Sequence, residues 1–163
     1  MEFRHKNYSL EHGAAVKKNF KERLEDGVIE FVTQALPRKG IVIDMGCGSG
    51  DLFHYICKNR ADLHVIGIDK NPSWENISDC QRPINGSLIL GDVSCIPVTP
   101  ESCDCMIFHA VSMYLGSMDR PLRQAWGVLK PGAIVAFHDG IAVMNNMESF
   151  INGELFHRIL RHS

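Results

Sequence analysis

Short apolar runs alternate with segments of helical periodicity over most of the chain. The first run, residues 41–43, consists of β-branched side chains and predicts a short buried strand. Four later runs predict further strands, at residues 63–69, 87–90, 103–109 and 133–137. Strands that alternate with helices are typical of an α/β fold, a doubly wound parallel sheet with right-handed crossovers.

The segments between these runs carry apolar residues three and four positions apart, which predicts helices. The predicted helices cover residues 9–36, the segment directly after residue 50, and residues 74–80, 118–129 and 147–160. After residue 50 the expected inward side chains are Leu52, Phe53, Ile56 and Cys57. In the helix at residues 118–129 they are Leu122, Ala125, Trp126 and Leu129.

The length of 163 residues suits one domain with its own core. We expect a single domain over residues 1–163, with a helical segment at 1–37, a core at 41–138 and a final helix at 139–163. The net charge of −2 gives no general attraction to nucleic acid or anionic membranes, so neither is an expected partner. No run approaches the roughly 20 apolar residues of a membrane span, and no secretory signal opens the chain, which predicts a cytoplasmic protein.

The six cysteines form no C-x-x-C pair and accompany no paired histidine spacing. We therefore expect no metal site and interpret the cysteines as reduced thiols, chiefly in the core.

Glycine recurs at every second position directly after the first predicted strand, as Gly46, Gly48 and Gly50. A glycine loop between a strand and a helix lets a ligand approach bare backbone and the N–H groups of the helix N-terminus. The spacing differs from the G-x-G-x-x-G of dinucleotide-binding proteins. Asp44, two residues before the first glycine, would also repel a pyrophosphate. The pattern favours a ligand with a positive ammonium group over a nicotinamide cofactor.

Two further carboxylates follow predicted strands. Asp69 ends the second strand, about 20 residues beyond the loop, where an acid can accept hydrogen bonds from both ribose hydroxyls. Asp92 lies between Gly91 and Val93, directly after the third strand. For each acid, the alternative role is that of a cap or turn residue.

The glycine loop is followed along the chain by Asp69, Asp92, the strand around Asp104 and the segment at residues 128–132. In that order they resemble the class I S-adenosylmethionine-dependent methyltransferases, most closely the small-molecule enzymes grouped as type 11. The resemblance covers about residues 41–137. It implies a Rossmann-like sheet of order 3-2-1-4-5, with S-adenosyl-L-methionine across its carboxyl edge. The implied activity is methyl transfer to a small-molecule acceptor by in-line displacement.

The resemblance also implies roles for individual residues. Asp44, Gly46 and Gly48 would hold the methionine part of the cofactor, Asp44 through its ammonium group. Asp69 would bind the ribose hydroxyls, Asp92 would accept from the adenine amino group, and the Val93 backbone would meet the ring. The main chain near His109 would line the methionine end. The expected cofactor-binding set is completed by Cys47 and Lys70.

Few residues follow the fifth predicted strand, and their pattern is helical. The sheet is therefore expected to lack the C-terminal antiparallel strands that are usual in the family. The chain would then be a naturally short version, a truncated one, or one completed by a partner. An uncovered sheet edge favours a homodimer or a partner subunit.

The expected catalytic residues are His138 and His109, because imidazole titrates near neutrality and suits a general base. A structural histidine is the alternative for His138. The sequence does not indicate the acceptor atom, but no Asn-Pro-Pro-Tyr-like motif follows the fourth strand, which disfavours methylation of an amide or base nitrogen in nucleic acid or protein. An alternative function is a methyltransferase-like binding subunit without turnover of its own, completed by a partner.

Overall fold

The computed structural model describes residues 33, 36–70, 83–139 and 156–161, the last six and residues 113, 138 and 139 by their backbone only. The chain divides into two units, Met1–Ala35 and Leu36–Ser163, and the following description concerns the second. The predicted helix at residues 74–80 and nearly all of the one at residues 9–36 lie outside the described residues. The single domain over residues 1–163 stays a prediction.

Six strands form one sheet in the order β3-β2-β1-β4-β5-β6. Their bounds are Gly40–Met45 (β1), Leu63–Asp69 (β2), Gly86–Leu90 (β3), Cys103–His109 (β4), Leu129–Asp139 (β5) and Phe156–Arg161 (β6). The first five are parallel, which confirms the predicted order 3-2-1-4-5. The fifth strand is longer than predicted because it also includes residues 129–132 and 138–139, with an irregular register opposite Cys103 and Cys105.

The last strand, β6, corrects two expectations. It pairs antiparallel with β5, so the prediction that the sheet lacks a C-terminal antiparallel strand is wrong. The predicted helix at residues 147–160 is wrong over residues 156–160, and its remaining part lies outside the described residues. The apolar spacing of this segment fits a helix locally. Pairing with β5 instead satisfies backbone N–H and C=O groups that a bare edge would leave open.

Two α-helices lie in the described part of the chain, α1 at Asp51–Asn59 and α2 at Asp119–Val128. The predicted inward face of α1 is confirmed, since Leu52, Phe53, Ile56 and Cys57 are all buried. The Phe53 ring packs where Gly67 of β2 and Gly86 of β3 carry no side chain. Neither helix has the length and apolar character of a membrane span.

The predicted inward face of α2 is only partly right. Ala125 is buried, but Leu122 is 37% and Trp126 is 51% exposed. The helix instead buries Pro121, Ala125 and Val128, and Leu129 is buried as the first residue of β5. Both sets have helical spacing, and the packed set has the smaller side chains.

Candidate functional site

The glycine loop at residues 46–50 is bonded through its backbone to the end of β2. The amides of Gly46 and Cys47 both donate to the carbonyl oxygen of Ile68, at 2.8 and 3.1 Å. The amide of Gly48 donates to Asp69 Oδ2 at 2.8 Å. This bonding follows from the sheet register, because Met45, the last residue of β1, pairs with Ile68. The loop is therefore held at the carboxyl edge of the sheet, directly before α1.

Gly46 and Gly48 have different surroundings, although both adopt positive φ angles, of 69° and 55°. A Cβ atom on Gly46 would overlap Cγ2 of Val111, whereas one on Gly48 would meet no atom of the described residues within 4 Å. Gly46 is thus needed for close packing inside the protein, and Gly48 leaves an open face at which a ligand can approach backbone. Nothing in the sequence pattern pointed to Val111, which is distant from the loop along the chain.

Asp44, the fifth residue of β1, is buried, with 1% of its surface exposed. The backbone N–H of Phe53, in the first turn of α1, donates a hydrogen bond to its carboxyl group. Its Oδ2 atom has no hydrogen-bond partner in the described part of the chain. Burial, and secondly the charge of Asp69, raise the pKa of Asp44 to about 7. Such a group is stabilised as a carboxylate by a cation, and the ammonium group of S-adenosyl-L-methionine fits this requirement.

The other predicted acids lie at the neighbouring strand ends. Asp69 is the last residue of β2 and half-buried, and Lys70 follows it with an exposed side chain. Asp92 follows β3, is exposed, and accepts a 2.7 Å hydrogen bond from the Ser94 amide through Oδ1. The turn role considered for Asp92 therefore applies to that oxygen. Val93 beside it is buried, so its backbone is positioned by the core.

The two predicted catalytic histidines lie on adjacent strands. His109 ends β4 and is half-buried, and its register partner on β5 is His138. The last register pair of β1 and β4 is Met45 with Phe108, so His109 lies beside the point where β1 ends and the glycine loop begins. The backbone thus brings both histidines to the carboxyl edge that carries the three acids.

The thiol of Cys47 lies against Gly67 of β2. Burial raises its pKa far above the ordinary range, so it remains a thiol, and only its backbone is available to a ligand at the loop. The described cysteines, Cys47, Cys57, Cys95, Cys103 and Cys105, are all free, and only Cys95 is exposed. Within the described ranges, no group of three His, Cys, Asp or Glu side chains could hold a metal ion.

Comparison with known proteins agrees with this geometry. The profile of a family described as a methyltransferase domain matches residues 37–161. The chain belongs to this methyltransferase-domain family. The matched range includes the whole sheet, β6 among its strands, and the family and fold identify S-adenosyl-L-methionine as the cofactor.

Among solved structures, this methyltransferase domain is similar to a Methanococcus maripaludis protein assigned as an S-adenosyl-L-methionine-dependent methyltransferase. The two share a TM-score of 0.70 at 19% identity, over 86% of this chain and 68% of the other. At this identity the likeness shows a common fold.

Two curated relatives are similar in sequence. Mouse ALKBH8, a tRNA (carboxymethyluridine(34)-5-O)-methyltransferase, is 33% identical over 108 residues, which are 64% of this chain and 15% of that protein. The arsenite methyltransferase of Halobacterium salinarum is 32% identical over 105 residues, 60% of this chain and 26% of that protein. The chain thus spans about a seventh of the length of ALKBH8 and about a quarter of the length of the arsenite enzyme.

Proposed function

We propose that this domain transfers a methyl group from S-adenosyl-L-methionine to a small-molecule acceptor. The observation that carries the proposal is the buried Asp44 carboxyl group beside the glycine loop, whose Oδ2 has no hydrogen-bond partner among the residues that the structure describes. The arsenite methyltransferase relative supports an acceptor of small size.

In this proposal each of the three acids binds a different part of the cofactor. Asp44 holds the ammonium group, together with the backbone of Gly46, Cys47 and Gly48. Asp69 accepts from the ribose hydroxyls while it fixes the Gly48 amide. Asp92 accepts from the adenine amino group, the Val93 backbone meets the ring, and Lys70 and the main chain of His109 line the remainder.

When bound, the cofactor supplies a methyl group already activated by its positive sulfur. The protein then has mainly to place the acceptor, an effect worth up to about 7–11 kcal/mol in model reactions. His109 and His138, paired in register at the end of β4 and β5, are the candidates for removing a proton from a hydroxyl or ammonium acceptor.

A second candidate acceptor is a carboxymethyl group on a tRNA uridine. The similarity to ALKBH8 favours it, whereas the net charge of −2 provides no general attraction to RNA. The expectation that nucleic acid is not a partner therefore stays a prediction, as do the cytoplasmic location and the homodimer or partner subunit.

Binding of S-adenosylhomocysteine by isothermal titration calorimetry tests the cofactor site. We expect a micromolar Kd, and at least tenfold weaker binding by Asp44→Asn, which removes the charge that faces the ammonium group. Asp62→Asn is the matched control, because Asp62 pairs with Arg60 on the surface. NAD should not bind. Equal affinity of the Asp44 and Asp62 variants would overturn the proposed site.

Turnover distinguishes an enzyme from a binding subunit. Radiolabelled methyl transfer to small-molecule extracts and to total tRNA, with the chain alone, should label the small-molecule fraction. Labelling of tRNA alone would favour the second acceptor. Cofactor binding without any labelling, together with a stoichiometric partner in native mass spectrometry, would favour the binding subunit.

A further inference from the structure

The carboxyl group of Asp44 is enclosed by the sheet and by α1. Its register partners are Gly67 of β2 and Ile107 of β4, neither of which has a polar side chain. The first turn of α1 contributes the hydrogen bond from the Phe53 amide. Only 1% of Asp44 is exposed, and its Oδ2 atom has no hydrogen-bond partner among the described residues. A carboxylate here would have little access to water to solvate its charge.

The ionisable groups that interact with Asp44 do not offset a negative charge. Asp69 at the end of β2 adds a second carboxyl group, and its charge raises the pKa of Asp44 after burial itself. The thiols of Cys47 and Cys57 have pKa values raised chiefly by burial and secondly by the charge of Asp44, so both stay neutral. The groups that shift the pKa of Asp44 include no Lys, Arg or His side chain of the described part.

Two histidines lie near the same edge and are rival sources of any pH dependence. His54 of α1 lies against Gly50, and burial lowers its pKa while the charge of Asp51 raises it. His109 ends β4 and is half-buried. An imidazole changes its charge near neutrality, so both residues serve as controls for Asp44.

A buried carboxyl group without a cation takes up a proton, because the neutral form avoids the cost of an unsolvated charge. Protonation of Asp44 also removes its repulsion with Asp69. An ammonium group beside Oδ2 reverses both effects, since it supplies a positive charge and hydrogen-bond donors.

We propose that Asp44 holds a proton in the free domain and releases it to solvent when the ammonium group of the cofactor binds. The inference rests on the proposed function, which assigns that ammonium group to Asp44. The O–H bond of the carboxyl group breaks, the proton passes to water or buffer, and the carboxylate pairs with the ammonium group. The site thus responds to pH, and a ligand without a cationic group does not displace the proton.

The sign of the pH dependence follows from the pKa of Asp44, which is about 7 in the folded chain. Below this pH the carboxyl group must lose its proton before the ion pair forms, so the Kd for S-adenosylhomocysteine should rise by up to about tenfold per pH unit. Above it Asp44 is already ionised, and the Kd should level off. Between pH 8 and pH 5 we expect a rise of roughly a hundredfold.

Calorimetric titration with S-adenosylhomocysteine in two buffers of different ionisation enthalpy counts the released protons. PIPES and ACES serve at about pH 6.5, and HEPES and Tris at about pH 8. We expect about 0.8 proton per bound ligand at the lower pH and about 0.1 at the higher one. 5′-Methylthioadenosine, which lacks the ammonium and carboxylate groups, should bind more weakly and release no proton.

Variants identify the group that loses the proton. Asp44→Asn should bind without proton release and with a flat pH profile. Asp69→Asn removes the neighbouring charge and should move the pH at which the Kd levels off to a lower value. His54→Asn and His109→Asn should release the same number of protons as the wild type. Equal proton release by Asp44→Asn and the wild type would overturn the inference.

NMR of the chain labelled with carboxyl-¹³C aspartate measures Asp44 directly. Its signal is the one absent in Asp44→Asn, or the one whose midpoint falls in Asp69→Asn. We expect a midpoint near pH 7 in the free chain and an ionised carboxylate from pH 5 to 8 with saturating S-adenosylhomocysteine. A midpoint near 4, or ligand binding without proton release, would overturn the inference and leave the proposed function intact. Absence of ligand binding at pH 8 would refute both.

Discussion

Asp69 Oδ2 accepts a 2.8 Å hydrogen bond from the amide of Gly48, and this bond joins the end of β2 to the glycine loop. A residue predicted as a ligand for ribose, with a cap or turn role as the alternative, therefore also holds the loop in place. Loss of the Asp69 carboxylate should disturb the cofactor site in two ways. The ribose hydroxyls would lose their hydrogen-bond acceptor, and so would the Gly48 amide.

Replacement of Asp69 by alanine should weaken the binding of S-adenosylhomocysteine by about ten- to a hundredfold, the equivalent of roughly 1.4–2.7 kcal/mol. Calorimetry measures the change directly. Asp69→Asn retains an oxygen for the Gly48 amide and should lose less affinity than Asp69→Ala. If both variants bound like the wild type, Asp69 would have no part in the site.

The buried carboxyl group of Asp44 should make the free protein less stable as the pH rises. Its pKa is about 7 in the folded chain, against 3.8 for an unperturbed aspartate. The folded state therefore binds this proton more tightly, and its advantage is present below pH 4 and lost as the pH rises towards 7. The difference of about 3 pKa units corresponds to roughly 4 kcal/mol.

Urea unfolding at pH 5 and pH 8 measures this effect when the wild type is compared with Asp44→Asn, which has no proton to lose. The free energy of unfolding of the wild type should fall relative to the variant by about 2–4 kcal/mol between these pH values. Parallel pH profiles would show that Asp44 ionises normally in the folded protein.

Substitution of Gly46 and Gly48 should have unequal effects on stability. Gly48→Ala should cost about 1–2 kcal/mol, because only its positive φ opposes a side chain. Gly46→Ala should cost at least about 2 kcal/mol more, because its Cβ would also overlap Val111. Thermal or chemical denaturation gives both values. Adding Val111→Ala should recover part of the Gly46→Ala loss, and purely additive effects would exclude the contact as its cause.

The opposite end of the sheet should affect stability without affecting the cofactor. Asp104 accepts from the Ile41 amide at 2.8 Å and pairs with Lys130, 2.8 Å away, thereby joining β1, β4 and β5. Asp104→Ala should cost about 1–3 kcal/mol, since it leaves the Ile41 amide unpaired. Lys130→Met should cost less, because the pair is partly solvated. Both variants should keep their affinity for S-adenosylhomocysteine, and a tenfold loss in either would contradict this separation.

β6 and α2 show that apolar spacing in the sequence does not by itself determine the local structure or the buried face. Residues 156–160 and the faces of α2 both have apolar residues at helical spacing. In residues 156–160, pairing with the edge of β5 outweighed the local preference for a helix. In α2, close packing on the sheet selected Pro121, Ala125 and Val128 over the larger Leu122 and Trp126.

The sequence alone determined the five parallel strands and the placement of Asp44, the glycine loop and Asp69. These depend on short-range signals, namely β-branched runs, glycine spacing and an acid at a strand end, and the family resemblance supplied the strand order. Only the tertiary structure decided that Val111 restricts Gly46, that Asp69 bonds to Gly48, and that β6 pairs with β5 along residues 156–161. Each of these joins residues far apart along the chain, so it depends on strand pairing and packing that no local pattern contains.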